Sequence, residues 1–310
     1  MALLLDFLII TAAAAALWWG ANLIVSGASS LAHRLGIPDL VIGLTVVAFG
    51  TSAPEFGVTI IAALEGHGDI SVSNVAGSNV INLGFVLGFV ALIRAIKTSK
   101  IVVRRDGVML IFATLILGVF LYDTKLVHWE GIIFVALLII YNAFLIKSNS
   151  FKPEDIDTSD FKLIDPIKLI LGIGLVTGAS HFLVESSIDI ARVFGLSEWT
   201  IGQTIVAFGT SIPELATSLA AAIKGKHGMS VGNLIGSNIF NILGVLGFSA
   251  IIRTMTVDHS ATYNLYIMMA FTVMVVMMMH TDRKISRLEG GLIAFINLLI
   301  WVMSFVGIIK

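Results

Sequence analysis

One phrase is written twice in this chain. Residues 43–55 read "GLTVVAFGTSAPE" and residues 202–214 read "GQTIVAFGTSIPE"; a second phrase follows each, "SVSNVAGSNVIN" at 71–82 and "SVGNLIGSNIFN" at 230–241. Thr51 and Thr210, Glu55 and Glu214, Ser78 and Ser237, and Asn82 and Asn241 all stand 159 positions apart, so no insertion separates the copies. The fold must therefore be built from two like units. What those units are depends on the sequence around the phrases.

That sequence is apolar. Hydrophobic residues make up 57% of the chain and charged residues 13%, with a mean hydropathy of +0.99, the balance of a polytopic membrane protein rather than a soluble domain. A spanning helix takes roughly 20 apolar residues, and apolar segments fall near 4–27, 38–64, 70–93, 107–122, 129–146, 166–190, 198–223, 229–252, 261–280 and 289–309. The expected fold is an all-α polytopic membrane protein of about ten transmembrane helices. The polar stretch "KSNSFKPEDIDTSDFKLID" at 147–165 divides it into a first five-helix repeat, 1–146, and a second, 166–310. An odd number of helices per repeat sends the second copy into the membrane from the opposite side, giving an inverted-topology pair.

The first segment carries Asp6 where a secretory signal has its basic region, and it runs on past Trp18 and Trp19, so it reads as a retained helix. The net charge of −1 says nothing about partners in such a chain; the distribution of charge says more. With the N-terminus outside, Lys125, Arg192, Arg253 and Lys310 fall outside and the remaining 15 of the 19 Lys and Arg residues fall inside. That bias predicts a cell-membrane protein with both termini outside and the central linker cytoplasmic. The lipid bilayer is the expected partner; no nucleic acid and no protein partner is expected. The chain has no cysteine, which excludes disulfides and thiolate metal sites.

The repeated phrases place carboxylates where a membrane protein avoids them. Among 20 acidic residues, Glu55 and Glu214 fall nearest the middle of a span. A charge there is costly unless a counter-charge or a water-filled cavity compensates it. No Lys or Arg lies at comparable depth, so a transported cation is the expected counter-charge. Ala48, Thr51 and Glu55 share a helical face, as do Ala207, Thr210 and Glu214. Pro54 lacks an N–H and clashes with the carbonyl of Gly50, which frees backbone oxygen beside the glutamate. Ser78 and Asn82, and Ser237 and Asn241, add hydroxyl and amide oxygens from the next helix. This all-oxygen set suits Ca²⁺, Mg²⁺ or Na⁺ better than Zn²⁺ or Cu²⁺.

Plainer readings exist for each feature. One T-S-x-P-E phrase is compatible with a structural kink, but repetition at the same depth favours a site. Gly77 and Gly236 suit close helix packing beside ligation by their neighbours. His181, Glu185 and Asp189, spaced by four, have the uncharged counterparts Asn22, Ser26 and Ser30, so they stand outside the symmetric site, with an interfacial or entrance role. A passive cation channel would share the polar midplane. An intramembrane hydrolase finds no supporting metal motif such as HExxH, so no enzymatic activity and no cofactor is expected.

The doubled phrases, each followed by a "GSN" helix, resemble the two alpha repeats of the calcium/cation antiporter superfamily, most closely the prokaryotic sodium/calcium exchangers. The resemblance implies antiport of Na⁺ against Ca²⁺ by alternating access. It implies a calcium site at Glu55 and Glu214 with backbone carbonyls at Thr51 and Thr210. It also implies sodium sites using Ala48, Ser52 and Ser78 on one side and Ala207, Ser211 and Ser237 on the other, with Asn82 and Asn241 completing the centre. Potassium-dependent members carry an aspartate where this chain has Asn241, so potassium co-transport is not expected. The proton-coupled branch shows "GNxxE" in place of "GTSxPE", which leaves proton/calcium exchange as the alternative.

Overall fold

The computed structural model describes residues 2–148, 164–195, 205 and 207–305. Seven described helices are long and apolar enough to cross a bilayer, and a bent pair in the second segment makes an eighth. Each expected apolar segment contains a helix, although residues 198–204 and 206 of the seventh lie outside the described residues.

In the first repeat, α1 runs over Ala2–Leu35. The second segment is broken into α2 (Asp39–Ile42), a π-helical stretch at Gly43–Val47, α3 (Ala48–Thr51) and α4 (Ala53–Glu65). There follow α5 (Gly68–Ile81), a π stretch at Asn82–Val86, α6 (Leu87–Ile93), a π stretch at Val102–Gly107, α7 (Val108–Phe120) and α8 (His128–Lys147). The second repeat begins with α9 (Asp165–Val193) and continues through α10 (Ala207–Gly209) and α11 (Ile212–Ile223). It ends with α12 (His227–Phe240), a π stretch at Asn241–Leu246, α13 (Gly247–Ile252), α14 (His259–Asp282) and α15 (Arg287–Phe305).

Helix α1 exceeds its expected end at residue 27. Hydropathy marks the part of a helix that lipid requires, and here the polar extension is held by protein instead: Ser29 donates to Asp39 at 2.8 Å and Ser30 to Asp165 at 2.7 Å. The second of these bonds joins α1 to the start of α9. The two helices pack so closely that a Cβ on Gly172 would lie 2.8 Å from the carbonyl oxygen of Gly20, the backbone approach that small residues permit in membranes.

The repeats are clasped at both ends by matched devices. Strand β1 (Ile96–Lys97) pairs with β4 (Lys284–Ile285), and β2 (Lys125–Leu126) pairs with β3 (Met255–Thr256), so each ladder takes one strand from each repeat. Arg94 donates to the carbonyl of Ile223 at 2.8 Å, and its counterpart Arg253 donates to that of Leu64 at 2.7 Å. Each guanidinium thereby satisfies an orphan carbonyl at the C-terminal end of the other repeat's broken helix.

Between the clasps lies the core. Every residue from Met229 to Gly247 is buried, which makes α12 and its π stretch the central post. The broken segment leans on it through glycines: a Cβ on Gly232 would lie 2.6 Å from the Leu40 oxygen, and one on Gly236 2.6 Å from the Leu44 oxygen. Close packing holds for Gly236; at Gly77 nothing among the described residues lies within 4 Å. The position matching Leu44 in the other repeat, 203, is outside the described residues.

Candidate cation site

The chain breaks twice at membrane depth, each time at the same residue type. Ser52 leaves helical geometry (φ −84°, ψ 13°) between α3 and α4, and Ser211 does so (φ −86°, ψ 2°) ahead of α11. Pro54 and Pro213 then occupy the first turn of the new helix, the position where a missing N–H costs nothing. The first break bends the segment by 50°. Glu55 and Glu214 therefore sit in the first turns of α4 and α11, where orphan N–H groups and the helix dipole favour negative charge.

Both glutamates are fully buried, as are Ser52, Ser211, Asn82, Asn241, Ser237 and Ala48. Thr51 and Ser78 are buried to within 2%, and Thr210 is half-buried. Ala207 is the first residue of α10. Bonds between the repeats tie most of the set together. The hydroxyls of Thr51 and Ser237 lie 3.4 Å apart, and those of the symmetry-related Thr210 and Ser78 also lie 3.4 Å apart. Ser52 donates to Glu214 Oε1 at 2.9 Å. The Ser237 hydroxyl lies 3.3 Å from that same oxygen and 3.5 Å from the Ala48 carbonyl.

Among the described residues, several oxygens within this set have no hydrogen-bond partner: both carboxylate oxygens of Glu55, Oε2 of Glu214, Oδ1 of Asn82, Oδ1 of Asn241 and Oγ of Ser211. Buried polar atoms in folded proteins are almost always paired, and these are concentrated at one place. Asp106, a third fully buried carboxylate, makes the contrast plain. Its oxygens accept from Arg105 at 2.6 and 3.1 Å and from Tyr141 at 2.9 Å. Among the described residues no Lys, Arg or His pairs with Glu55 or Glu214. A site with two carboxylates, amides, hydroxyls and free carbonyls and without imidazole is one for a hard cation.

A second layer, absent from the sequence reading, supports the first. Asn233 accepts from Thr51 Oγ1 at 3.1 Å and donates to Ser218 at 2.9 Å; its counterpart Asn74 donates to Thr59 at 2.9 Å. Asn241 donates to Asn79 Oδ1 at 3.1 Å, and Asn79 donates to the Asn238 carbonyl at 3.2 Å. Asn74/Asn233 and Asn79/Asn238 lie inside the repeated phrases at the same spacing of 159, which is the signal that would have found them. His181 and Glu185 lie 3.5 Å apart with side chains 66% and 58% exposed, on the protein surface.

Comparison with known proteins adds an independent line. The family described as "Sodium/calcium exchanger protein" matches residues 5–147 and 166–306. The putative antiporter CaxA of Alkalimonas amylolytica is 37% identical over 303 residues, covering 93% of this chain and 92% of that protein. The sodium/calcium exchanger MaX1 of Methanosarcina acetivorans is 30% identical over 331 residues, covering 92% and 94%. Among solved structures, the sodium-calcium exchanger NCX_Mj soaked with 2.5 mM Na⁺ and 1 mM Sr²⁺ superposes with a TM-score of 0.85 at 28% identity, covering 96% of this chain and 97% of that one.

Proposed function

The chain belongs to the sodium/calcium exchanger family, and from that premise we propose that Glu55 and Glu214 are the charged ligands of a shared Na⁺/Ca²⁺ site in a secondary active antiporter. The observation that carries this reading is the pair of buried carboxylates, one from each repeat, whose free oxygens face no Lys, Arg or His among the described residues. Thr51, Thr210, Ser52, Ser211, Ser78, Ser237, Asn82 and Asn241, with the carbonyls at Ala48 and Ala207, supply the neutral oxygens around them.

Coupling follows from charge. Two carboxylates closed off from water without counter-ions carry a heavy desolvation cost. One Ca²⁺, or Na⁺ ions in its place, removes it. The protein then changes the side to which the site opens only when a cation set is bound, and because the ions compete for the same carboxylates they move in opposite directions. Asn241 contributes an oxygen without a charge, so the two glutamates set the balance. The broken helices give the site two flanks from inverted halves, the arrangement that alternating access uses.

The repeats, 1–146 and 166–310, are joined by the 147–165 linker, which we place in the cytoplasm with both termini outside the cell membrane. Because the chain has no cysteine, a single cysteine introduced at position 155 reports this directly: a membrane-impermeant thiol reagent labels it in inverted vesicles and not in intact cells. Labelling from outside intact cells reverses the orientation. For the exchange itself, purified protein in liposomes takes up radiolabelled Ca²⁺ when Na⁺ is loaded inside and diluted outside. Uptake driven by a pH gradient with no Na⁺ present would replace the sodium assignment by the proton-coupled one.

A further inference from the structure

At the face where Ser30 meets the start of α9, three connections converge: the turn from α1 to α2, the stretch from β1 towards α7, and the turn from α11 to α12. They line an open cavity of about 610 Å³ whose lining includes His33, Asp39, Lys97, Lys224, Lys226 and His227. None of the glutamates, serines or asparagines of the cation site lines it. For a protein that moves cations, such a lining is unexpected as a path and suited to an anion.

The charges do not cancel within the cavity. Asp39 is committed to its neighbours, accepting from Ser29 at 2.8 Å and pairing with Lys226 at 2.9 Å. Lys97 and Lys224 have no ion-pair partner among the described residues; Lys224 donates only to the Asn22 carbonyl, at 3.3 Å.

No ion pair among the described residues ties Lys97 or Lys224 into the scaffold. The repeat supplies a comparison: the clasp residues Arg94 and Arg253 appear in both halves. Lys97, Lys224 and Lys226 correspond instead to Thr256, Glu65 and His67. Orientation by basic residues needs only charges flanking the spans, which Arg34, Arg104 and Lys147 already provide; it does not need them gathered in a concavity.

We propose that this cavity binds a phosphate-bearing anion between Lys97 and Lys224, with His227 beside it. Lysine binds phosphate as a point charge, and basic pockets between membrane helices take anionic headgroups, so a free phosphate and a phospholipid headgroup share the required chemistry. Lysine footprinting of the full chain by mass spectrometry tests the site and separates the two sources. In detergent, inorganic phosphate is titrated as the potassium salt against potassium chloride at equal ionic strength. In bilayer discs, phosphatidylcholine alone is compared with phosphatidylcholine containing phosphatidic acid.

Acylation of Lys97 and Lys224 slows several-fold while Lys100 and Lys147 keep their rates. Protection by inorganic phosphate identifies a soluble ligand, and protection by phosphatidic acid alone identifies a lipid. Lys224→Gln abolishes the protection of Lys97 by the same probe. Equal slowing of all four lysines would mean diffuse screening and would overturn the site, as would unchanged rates at Lys97 and Lys224 with both probes.

Discussion

Glu55 and Glu214 occupy the same place in two copies of one motif, yet their surroundings differ. Both are fully buried in the first turn of a helix that follows a serine break and a proline. Glu214 accepts from Ser52 in the opposite repeat, whereas among the described residues the hydroxyl of Ser211, the symmetry mate of Ser52, and both carboxylate oxygens of Glu55 have no hydrogen-bond partner. The hydroxyl pairs Thr51/Ser237 and Thr210/Ser78 keep the symmetry to the same 3.4 Å. The difference therefore lies around the carboxylates: Ser52 and Ser237 reach Glu214, and Asn241 reaches Asn79, with no matching bonds from Ser211, Ser78 and Asn82 among the described residues. Inverted repeats that share a scaffold and differ at the break residues have the form expected of halves that exchange roles as the site opens to one side and then the other.

Replacing either glutamate is the strongest test of their equivalence. Glu55→Gln or Glu214→Gln keeps the shape and removes half the charge facing a divalent cation. Breaking a buried charge pair costs about 3–5 kcal/mol, more than about 100-fold in affinity. Both variants fold and lose Na⁺-driven Ca²⁺ uptake. If either retained coupled exchange, the two carboxylates would not form one site. The serines come next. Ser52→Ala removes a hydrogen bond to a carboxylate, worth about 1.5–3 kcal/mol, and weakens the Na⁺ dependence of exchange by roughly tenfold or more. Ser211→Ala removes no such bond and shifts it less. Equal shifts would erase the asymmetry between the halves.

The same comparison separates what is legible in the sequence from what is not. The broken helices were legible because Gly50, Ser52 and Pro54 act locally: proline forbids a backbone bond whatever surrounds it. The repeat was legible because the spacing of 159 runs unbroken through every site position. The second layer was harder, since Asn233 gains its role only by meeting Thr51 from the other repeat. The π-helical stretches at Gly43–Val47, Asn82–Val86 and Asn241–Leu246 leave no local signature of composition, because such bulges are set by packing around a site. Helix α1 outruns its apolar segment for a related reason. Hydropathy reports contact with lipid, and residues 28–35 are held by Asp39 and Asp165 instead.

Glycine positions test whether the halves pack alike. A methyl group on Gly236 would lie 2.6 Å from the Leu44 oxygen and 2.8 Å from the Ala48 Cβ. Gly236→Ala therefore pushes the broken segment off the central post and costs about 1–3 kcal/mol. Thermal unfolding of Gly236→Ala and Gly77→Ala in detergent compares the halves: equal losses mean that Gly77 is a close contact as Gly236 is, and a loss at Gly236 alone means that the halves pack differently there.

The smallest effect is expected where the symmetry is best kept. Arg94 and Arg253 donate at 2.8 and 2.7 Å to the last turns of α11 and α4, at opposite faces of the bundle. Both side chains are exposed to water, so each bond contributes about 1 kcal/mol. Arg94→Ala and Arg253→Ala should lower the unfolding temperature by equal amounts, and the double variant by their sum, because distant sites without shared partners add. A larger loss for Arg94→Ala alone would tie that residue to the basic cavity beside it rather than to the clasp. The double variant then separates the explanations: a purely scaffolding role leaves the sum intact at every phosphate concentration, whereas a role in the cavity makes the Arg94 increment depend on phosphate and leaves that of Arg253 unchanged.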